Sequence, residues 1–569
     1  MKNNTISERI QPPKSVSDAA VNAIKESLKL PLLTTKILVN RGVTTPEAAL
    51  LFFKPDVTRL NSPYLFKDMG KVVDRILQAA ENRETVCIHG DYDVDGVTAT
   101  ALLTRFLRKI GINADTYVPH RLNEGYGLSE DGVRKIGENK TSLLITVDCG
   151  ITSLKETALA NSLGMDVIIT DHHLPLATLP DVYAILNPKV DTTYPDKDLA
   201  GVGVALKLAQ AIAEKVGMNP DEALAFADLA AIGTAADIAP LVNENRSITR
   251  IGLDSLKKSP IEGIKALLRA AGLYDKQIDT TRILFQIAPL INAMGRMGDP
   301  ARCVEFFLTD DPTKAGLLAE ELRKNNLDRR TVDQSMTEEC FRQVDAMFDP
   351  ATTAFITLFN PSWHAGVLGI VASRVMEKYC RPTLVLTEID GMARGSARSI
   401  PGLHLFDAIS ASSDLLDHYG GHAFAAGVTI KPTNLKEFSE RLNIYAAGLL
   451  GPNDFIRTHE TDVEVDSFDQ LDFNLYKSLL EFEPHGSGNL RPVFYCTGVQ
   501  TVGKPRVVGT NHLKFSARKG GVVFDAIAFR QADKMAVVDG SSDLTLAFTL
   551  DENVWMGNTT LQLNIRGIE

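Results

Sequence analysis

His89-Gly90-Asp91-Tyr92-Asp93-Val94-Asp95-Gly96 follows a short apolar, β-branched run, Thr85-Val86-Cys87-Ile88, and precedes a helical pattern that opens with Val97-Thr98-Ala99-Thr100-Ala101-Leu102-Leu103. A buried strand thereby delivers one imidazole and three carboxylates into a loop. Three aspartates within five residues repel one another unless a cation lies among them, and a divalent metal is the simplest such cation. The octapeptide also suits a solvated turn or a helix cap, since aspartate caps helices and glycine tolerates unusual backbone angles. A calcium loop fits poorly, because the twelfth position counted from Asp91 is Leu102 where a glutamate would be required.

Working outward, the pattern alternates: strand 85–89, helix 97–109, strand 114–118, helix 129–138, strand 142–147, helix 152–163, strand 166–170. Such a succession predicts a parallel sheet with helices on both faces, whose ligands gather at the carboxyl ends of the strands. Two more strands end in ligand chemistry: Leu143–Val147 runs into Asp148-Cys149-Gly150, and Asp166–Thr170 into Asp171-His172-His173. One strand ending in an acid is common, but three that end in His/Asp groups favour a shared metal site over separate caps. Downstream of the helical stretch 203–232, Asp237 stands in the apolar company of Ala236 and Ile238. A charge there needs a partner, unless it is an incidental acid at a helix end.

Composition sets the outer limits. At 569 residues, with 44% hydrophobic and 23% charged residues, the chain is expected to form two to four globular domains. No apolar stretch is long enough to span a bilayer, and the polar start Met1-Lys2-Asn3-Asn4-Thr5 is unlike a signal peptide, so a cytoplasmic protein is expected. The six cysteines (Cys87, Cys149, Cys303, Cys340, Cys380, Cys496) form no CxxC pair and read as reduced, structural thiols. A net charge of −11 excludes a uniformly basic protein but not a local nucleic-acid surface.

The expected organisation is a helical appendage over 1–50, an α/β catalytic domain over 51–309, connecting helices over 310–348, a second α/β domain over 349–451, and a small β-barrel over 452–569. Between Arg491 and Arg530 seven basic residues, Arg506 and Lys514 among them, stand against the single acid Asp525. That local excess is an electrostatic footprint for nucleic acid. The interleaved Phe494, Tyr495, Phe515 and Phe529 are expected to fill the barrel.

Imidazole and carboxylate ligands without thiolates suit Mn²⁺ or Mg²⁺, and several carboxylates can hold two such ions about 3.5–4 Å apart. Metal-assisted phosphoester hydrolysis is the corresponding reaction class. At this level the ordered motifs His89-x-x-x-Asp93-x-Asp95, Asp148-Cys149-Gly150, Asp171-His172-His173 and Ala236-Asp237 resemble those of the DHH phosphoesterase superfamily, and Gly420-Gly421-His422-Ala423 resembles its DHHA1 domain. With His120-Arg121-Leu122-Asn123-Glu124-Gly125-Tyr126-Gly127 and an OB-type terminal domain, the chain is similar to the single-strand-specific exonucleases of that superfamily.

The resemblance implies a two-metal, 5′-to-3′ exonuclease that releases nucleoside 5′-monophosphates from single-stranded DNA in repair and recombination. It places His89, Asp93 and Asp148 on one ion, and Asp95, Asp148, His172 and Asp237 on the other, with Asp148 as the bridge. Asp91 would orient a ligand from behind. His173 would contact the scissile phosphate.

Ser396, Arg398 and Ser399, on a glycine-containing turn, would read a backbone or terminal phosphate, and His422 would approach an anion beside two glycines. Arg296, His364 and Arg374 are further substrate contacts by family match; for Arg374 a structural ion pair is the competing reading. Arg121 and Tyr126 would track and stack the strand at the rim. A single-strand-binding protein and a helicase are the implied partners of a monomer. The alternative is a phosphodiesterase of the same superfamily acting on short oligonucleotides or cyclic dinucleotides.

Overall fold

The computed structural model describes residues 8–120, 124–555 and 557–569. Arg121, expected at the site's rim, lies outside the described residues. The chain forms two compact units, Lys54–Arg330 with Glu483–Leu490, and Met1–Phe53 with Thr331–Phe482 and Arg491–Glu569.

In the first unit a five-stranded, all-parallel sheet runs in the spatial order Ala114–Tyr117, Thr85–Gly90, Thr141–Val147, Asp166–Thr170, Ala184–Leu186. Side chains alternate between two cores. Val86, Ile88, Leu143, Ile145, Val147 and Ile168 join the core that includes Leu102, Leu103 and Val204. Cys87, Leu144, Val167 and Ile169 join Val133, Ile136 and Ala160 on the other. Burial on both faces is why these strands read as continuous apolar runs.

The elements expected between residues 85 and 170 are all present, and the largest difference is at the first helix, Val94–Lys109. It begins three residues early because Asp93 caps it, its Oδ1 accepting the Gly96 N–H at 3.0 Å. The strand order reverses between Thr85–Gly90 and its two neighbours, which opens a crevice at the carboxyl ends of Thr85–Gly90 and Thr141–Val147. His89 to Asp95 leave one side of that crevice and Asp148 leaves the other. Helix Gly201–Lys215 packs close by, anchored through the fully buried Lys207, whose Nζ lies 2.5 Å from Glu244 and 2.8 Å from the Asn61 carbonyl.

The second unit contains a five-stranded sheet in the order Leu416–Gly421, Ala425–Ile430, Met392–Arg398, Thr383–Ile389, Ile356–Phe359, antiparallel except for its last pair. It also contains a closed five-stranded barrel: Phe494–Val508, His512–Lys519, Val522–Ala528, Asn558–Ile568 and Leu544–Trp555, the last pairing back onto the first. The fold is thus the expected α/β arrangement with a terminal OB-type barrel. The N-terminal helices Asp18–Leu28 and Leu32–Asn40 share one hydrophobic core with the barrel, to which Val21, Ile24 and Ile37 belong together with Phe468, Phe494 and Phe548. The several connecting helices expected over 310–348 are one helix of 36 residues, Pro312–Met347, since no proline interrupts it after its first residue. Residues 395–398, expected on a turn, end a strand instead. Among the described residues all six cysteines are free, and no helix is long and apolar enough to cross a membrane.

Candidate metal centre

Asp95 sits in the first turn of helix Val94–Lys109, fully buried, and is met by the N-terminus of helix Gly201–Lys215. The Gly201 N–H donates to its Oδ2 at 2.9 Å and the Val202 N–H to its Oδ1 at 3.0 Å. Backbone donors at the positive end of a helix favour the carboxylate form. Gly201 is required there: a Cβ added to it would lie 2.5 Å from Asp148 Oδ1, and one added to Gly233 would lie 2.8 Å from Asp95 Oδ1.

Asp148 leaves its strand with φ +59°, a left-handed conformation that is strained for any residue with a side chain, and its N–H is tied to the Thr170 carbonyl at 3.0 Å. Its Oδ1 comes within 3.1 Å of His172 Nε2. Asp95 Oδ2 and Asp237 Oδ2 each lie 3.9 Å from the same nitrogen. Two triplets result, Asp148 with His172 and His173, and Asp95 with His172 and Asp237, in each of which the ligand atoms lie within 4.8 Å of one another.

Asp148 Oδ1, His172 Nε2 and His89 Nε2 are all buried without any hydrogen-bond partner. Buried polar atoms are almost always paired, so three orphans at neighbouring strand ends fit a cation. The donor set of nitrogen and carboxylate oxygen suits manganese or magnesium.

Electrostatics agree. Burial, then repulsion from Asp95 and its neighbours, pushes the Asp148 carboxyl well up, and burial followed by Asp237 and Asp93 does the same to Asp95. Burial and Asp93 raise Asp237 to about 7, and raise Asp91 to about 8. Burial holds His172 down to about 3 and His89 down to about 4, so both rings are neutral and able to ligate. For His173 burial works against protonation, but the 2.7 Å hydrogen bond between its Nδ1 and Asp171 outweighs it and its pKa rises. Asp171 is fixed in turn by the N–H groups of His172 and Ile151.

The sequence-expected residues divide as follows. His172, Asp95, Asp148 and Asp237 come together, and His173 joins them although a phosphate contact was expected of it. His89 and Asp93 fall outside both triplets. Asp91 is buried, its Oδ1 facing the Gly127 N–H at 3.4 Å, so it braces the turn that carries Tyr126. The Tyr126 hydroxyl reaches the His173 ring at 3.1 Å and the Asp148 carbonyl at 3.3 Å, while the residue stays 49% exposed. Arg296 is half-buried in helix Ala288–Met297, whose Gly295 packs against the Tyr92 carbonyl. Sequence reasoning missed Gly201, Val202 and Gly233. The signal was a glycine-bearing start to an alanine-rich helix, which marks close approach of a backbone.

In the second unit, Arg398 Nη1 donates to Ser396 Oγ at 3.0 Å, and its guanidinium lies against Gly369 in the first turn of helix Leu368–Tyr379. His422 is exposed on the turn before Ala425, which pairs with Arg398. Three expectations change. The Ser399 hydroxyl is buried and donates to the Leu403 carbonyl at 2.9 Å, so it shapes the turn and is not displayed to a phosphate. Arg374 is ion-paired at 2.8 Å with buried Asp333. His364 Nδ1 caps its own turn by accepting the Gly366 N–H at 3.1 Å. On the barrel Arg506 is exposed directly across from Lys514, which contacts Asp525 at 3.1 Å. Phe494 and Phe515 fill the barrel, Tyr495 is half-buried, and Phe529 is exposed, edge-on to His512, because it follows the last residue of its strand.

Comparison with known proteins gives three family matches: the DHH family, N-terminal domain, over residues 85–234; the DHHA1 domain over 351–448; and the RecJ OB domain over 461–567. A single-stranded-DNA-specific exonuclease RecJ of Bacillus subtilis is 37% identical over 551 residues, 96% of this chain and 69% of that protein. The protein of the same name from Escherichia coli is 33% identical over 561 residues, 95% of this chain and 96% of that one. A crystal structure of RecJ in complex with Mn²⁺ from Thermus thermophilus covers 100% of this chain and 80% of its own, with a TM-score of 0.85 at 29% identity.

Proposed function

The chain belongs to the RecJ family of single-stranded-DNA-specific exonucleases, and from that premise we propose that it hydrolyses single-stranded DNA at the Asp95–Asp148–His172–Asp237 cluster, whose residues would hold two divalent cations with Asp148 as a ligand common to both. The observation that carries this reading is the set of buried ligand atoms that make no hydrogen bond, His89 Nε2, Asp148 Oδ1 and His172 Nε2, the last two drawn to within 3.1 Å of each other. His89 and Asp93 would hold the first of these ions together with Asp148. Manganese or magnesium held there supplies Lewis-acid polarisation of the phosphoryl oxygens and a water of lowered pKa.

The chain's own groups do the rest. Asp171 holds His173 in one orientation and favours its protonated form, so that its Nε2–H, which the Tyr126 hydroxyl meets at 3.1 Å, can turn to the phosphate under attack. Asp91 and Tyr126 lock the rim against that ring. Arg398, Ser396 and His422, with Arg296, receive the backbone and terminal phosphates, and Arg506 and Lys514 hold the incoming strand on the barrel. Cleavage runs from the 5′ end and yields 5′-monophosphates, in repair and recombination alongside a single-strand-binding protein and a helicase.

End-labelled single-stranded DNA, duplex DNA, pyrophosphate and a cyclic dinucleotide, each incubated with protein and manganese, test this reading. Mononucleotide release from the single strand alone is expected, and its loss in Asp148→Ala with strand affinity retained. Activity confined to the small substrates would overturn it.

A further inference from the structure

Ile238, the residue after Asp237, carries two burdens at once. Its backbone lies at φ +61°, and its side chain is 58% exposed. The position is the one just past the end of helix Ala227–Ala236, with Asp237 as its C-cap. Helices commonly leave through a left-handed residue there, and glycine is preferred because it has no Cβ to clash. A β-branched residue at positive φ is a genuine outlier and costs on the order of 1–3 kcal/mol. Burial would be the ordinary compensation, and Ile238 does not have it. Asp237 itself is held inside the cluster, its Oδ2 3.9 Å from His172 Nε2. The left-handed turn therefore sends the acid towards the metal centre and leaves the next side chain in the open. Leu174, the residue after His173, is also exposed, at 63%. Two large apolar side chains thus adjoin proposed site residues while turned to solvent.

We propose that Ile238 packs against the unpaired base of the nucleotide being removed, and so determines preference for an unstacked terminus. The inference rests on the proposed hydrolysis of single-stranded DNA at this cluster. The occupant follows from what must stand beside a phosphodiester held at the cluster, namely the nucleoside attached to it. A base in a single strand offers an open apolar face to an aliphatic side chain, whereas a base inside a duplex has both faces stacked. This contact accounts for an isoleucine kept where glycine would relieve the backbone.

Ile238→Gly and Ile238→Leu are compared with the unaltered chain. Glycine fits the left-handed turn, so Ile238→Gly should melt at the same temperature or higher, with manganese affinity unchanged by calorimetry. Its KM for a short single strand should rise about 5- to 10-fold with kcat little altered, the size of one lost apolar contact. An oligonucleotide with abasic units at both ends should be bound several-fold more weakly than its normal counterpart by the unaltered chain and equally by Ile238→Gly; Ile238→Leu should restore part of the difference. Binding is read by fluorescence anisotropy with metal withheld, so the result stands apart from turnover. If Ile238→Gly distinguishes abasic from normal ends as well as the unaltered chain does, the base contact is refuted. If it lowers manganese affinity, Ile238 acts through Asp237 and the inference also falls. Absence of nuclease activity in the unaltered chain would instead count against the proposed function.

Discussion

Gly201→Ala adds a single methyl group to the first turn of the helix that faces the cluster, and the structure gives its consequence in distances. The new Cβ would stand 2.5 Å from Asp148 Oδ1 and 2.7 Å from Asp148 Cβ. Carbon and oxygen in ordinary contact stay about 3.3 Å apart, so the carboxylate must retreat by roughly 0.8 Å. Asp148 has little room to do so, being buried and pinned through its N–H to Thr170. Coordination tolerates about 0.2 Å, and misplacement of about 1 Å in a reacting constellation costs on the order of 100-fold. A methyl inserted into a filled interior destabilises by about 1–3 kcal/mol, a melting shift of several degrees, so the fold should survive. Manganese affinity by calorimetry should fall at least about 10-fold, and kcat on single-stranded DNA on the order of 100-fold, while strand affinity in the absence of metal stays within about twofold. A Gly201→Ala protein with unaltered manganese affinity and turnover would show that Asp148 Oδ1 is not a ligand in the place described.

Three other outcomes are expected. Lys207→Met leaves Glu244 charged and buried, which should cost about 3–5 kcal/mol in urea unfolding; a change under about 1 kcal/mol would mean that the pair does not anchor the helix. Arg506→Ala with Lys514→Ala should weaken single-strand binding and make the slope of log K against log salt shallower by about 1.4, with manganese affinity unaltered. The pH dependence follows from acids raised in the fold and histidines lowered in it. From pH 6.5 to 8 His89 and His172 are neutral in the folded chain and half charged at the lower limit when unfolded, a gain of under about 1 kcal/mol for the pair as pH rises, whereas Asp91, raised to about 8, becomes charged only in this window when folded and outweighs it. A raised carboxyl is a penalty on the fold that grows with pH, so metal-free protein should lose on the order of 2 kcal/mol between these limits. His173, raised by Asp171, acts in the same direction, since the stability it lends below its unfolded pKa is lost as pH rises. Manganese-saturated protein should not show the loss, and manganese affinity should strengthen with pH; a flat profile in both forms would refute the charge assignment.

Much of this is legible in residues 85–171 because strands buried on both faces are written as unbroken apolar runs, so each strand end, and the chemistry hanging from it, can be numbered from the sequence alone. The cap reading and the metal reading of the octapeptide are compatible: Asp93 does cap its helix, and Asp95 in the first turn of that helix lies in the cluster. What was not legible depends on contacts far apart in sequence. Nothing near Asp95 signals that its carboxylate is met by amides at 201 and 202. Ser399 and Phe529 were misread for a related reason. Whether a hydroxyl turns inward to Leu403, or a ring falls one residue beyond the end of its strand, is decided by local backbone path and not by composition. Arg374 carried both readings from the start, and its pairing with Asp333 favours the structural one.

The core that the N-terminal helices share with the barrel has a bearing on biosynthesis. Val21, Ile24 and Ile37 leave the ribosome early, yet Phe494, Phe548 and Ile565, the groups that cover them, follow only after more than 400 further residues. At about 5–20 residues per second that delay is on the order of 20–110 s, during which an apolar helical surface has no native cover. The unit Lys54–Arg330 has nearly all of its sequence available before that interval ends. The catalytic half can therefore fold as the chain emerges, whereas the half that carries the barrel must wait for the last strand, and a nascent chain cut short near its end would keep its acidic cluster and lose its grip on the strand.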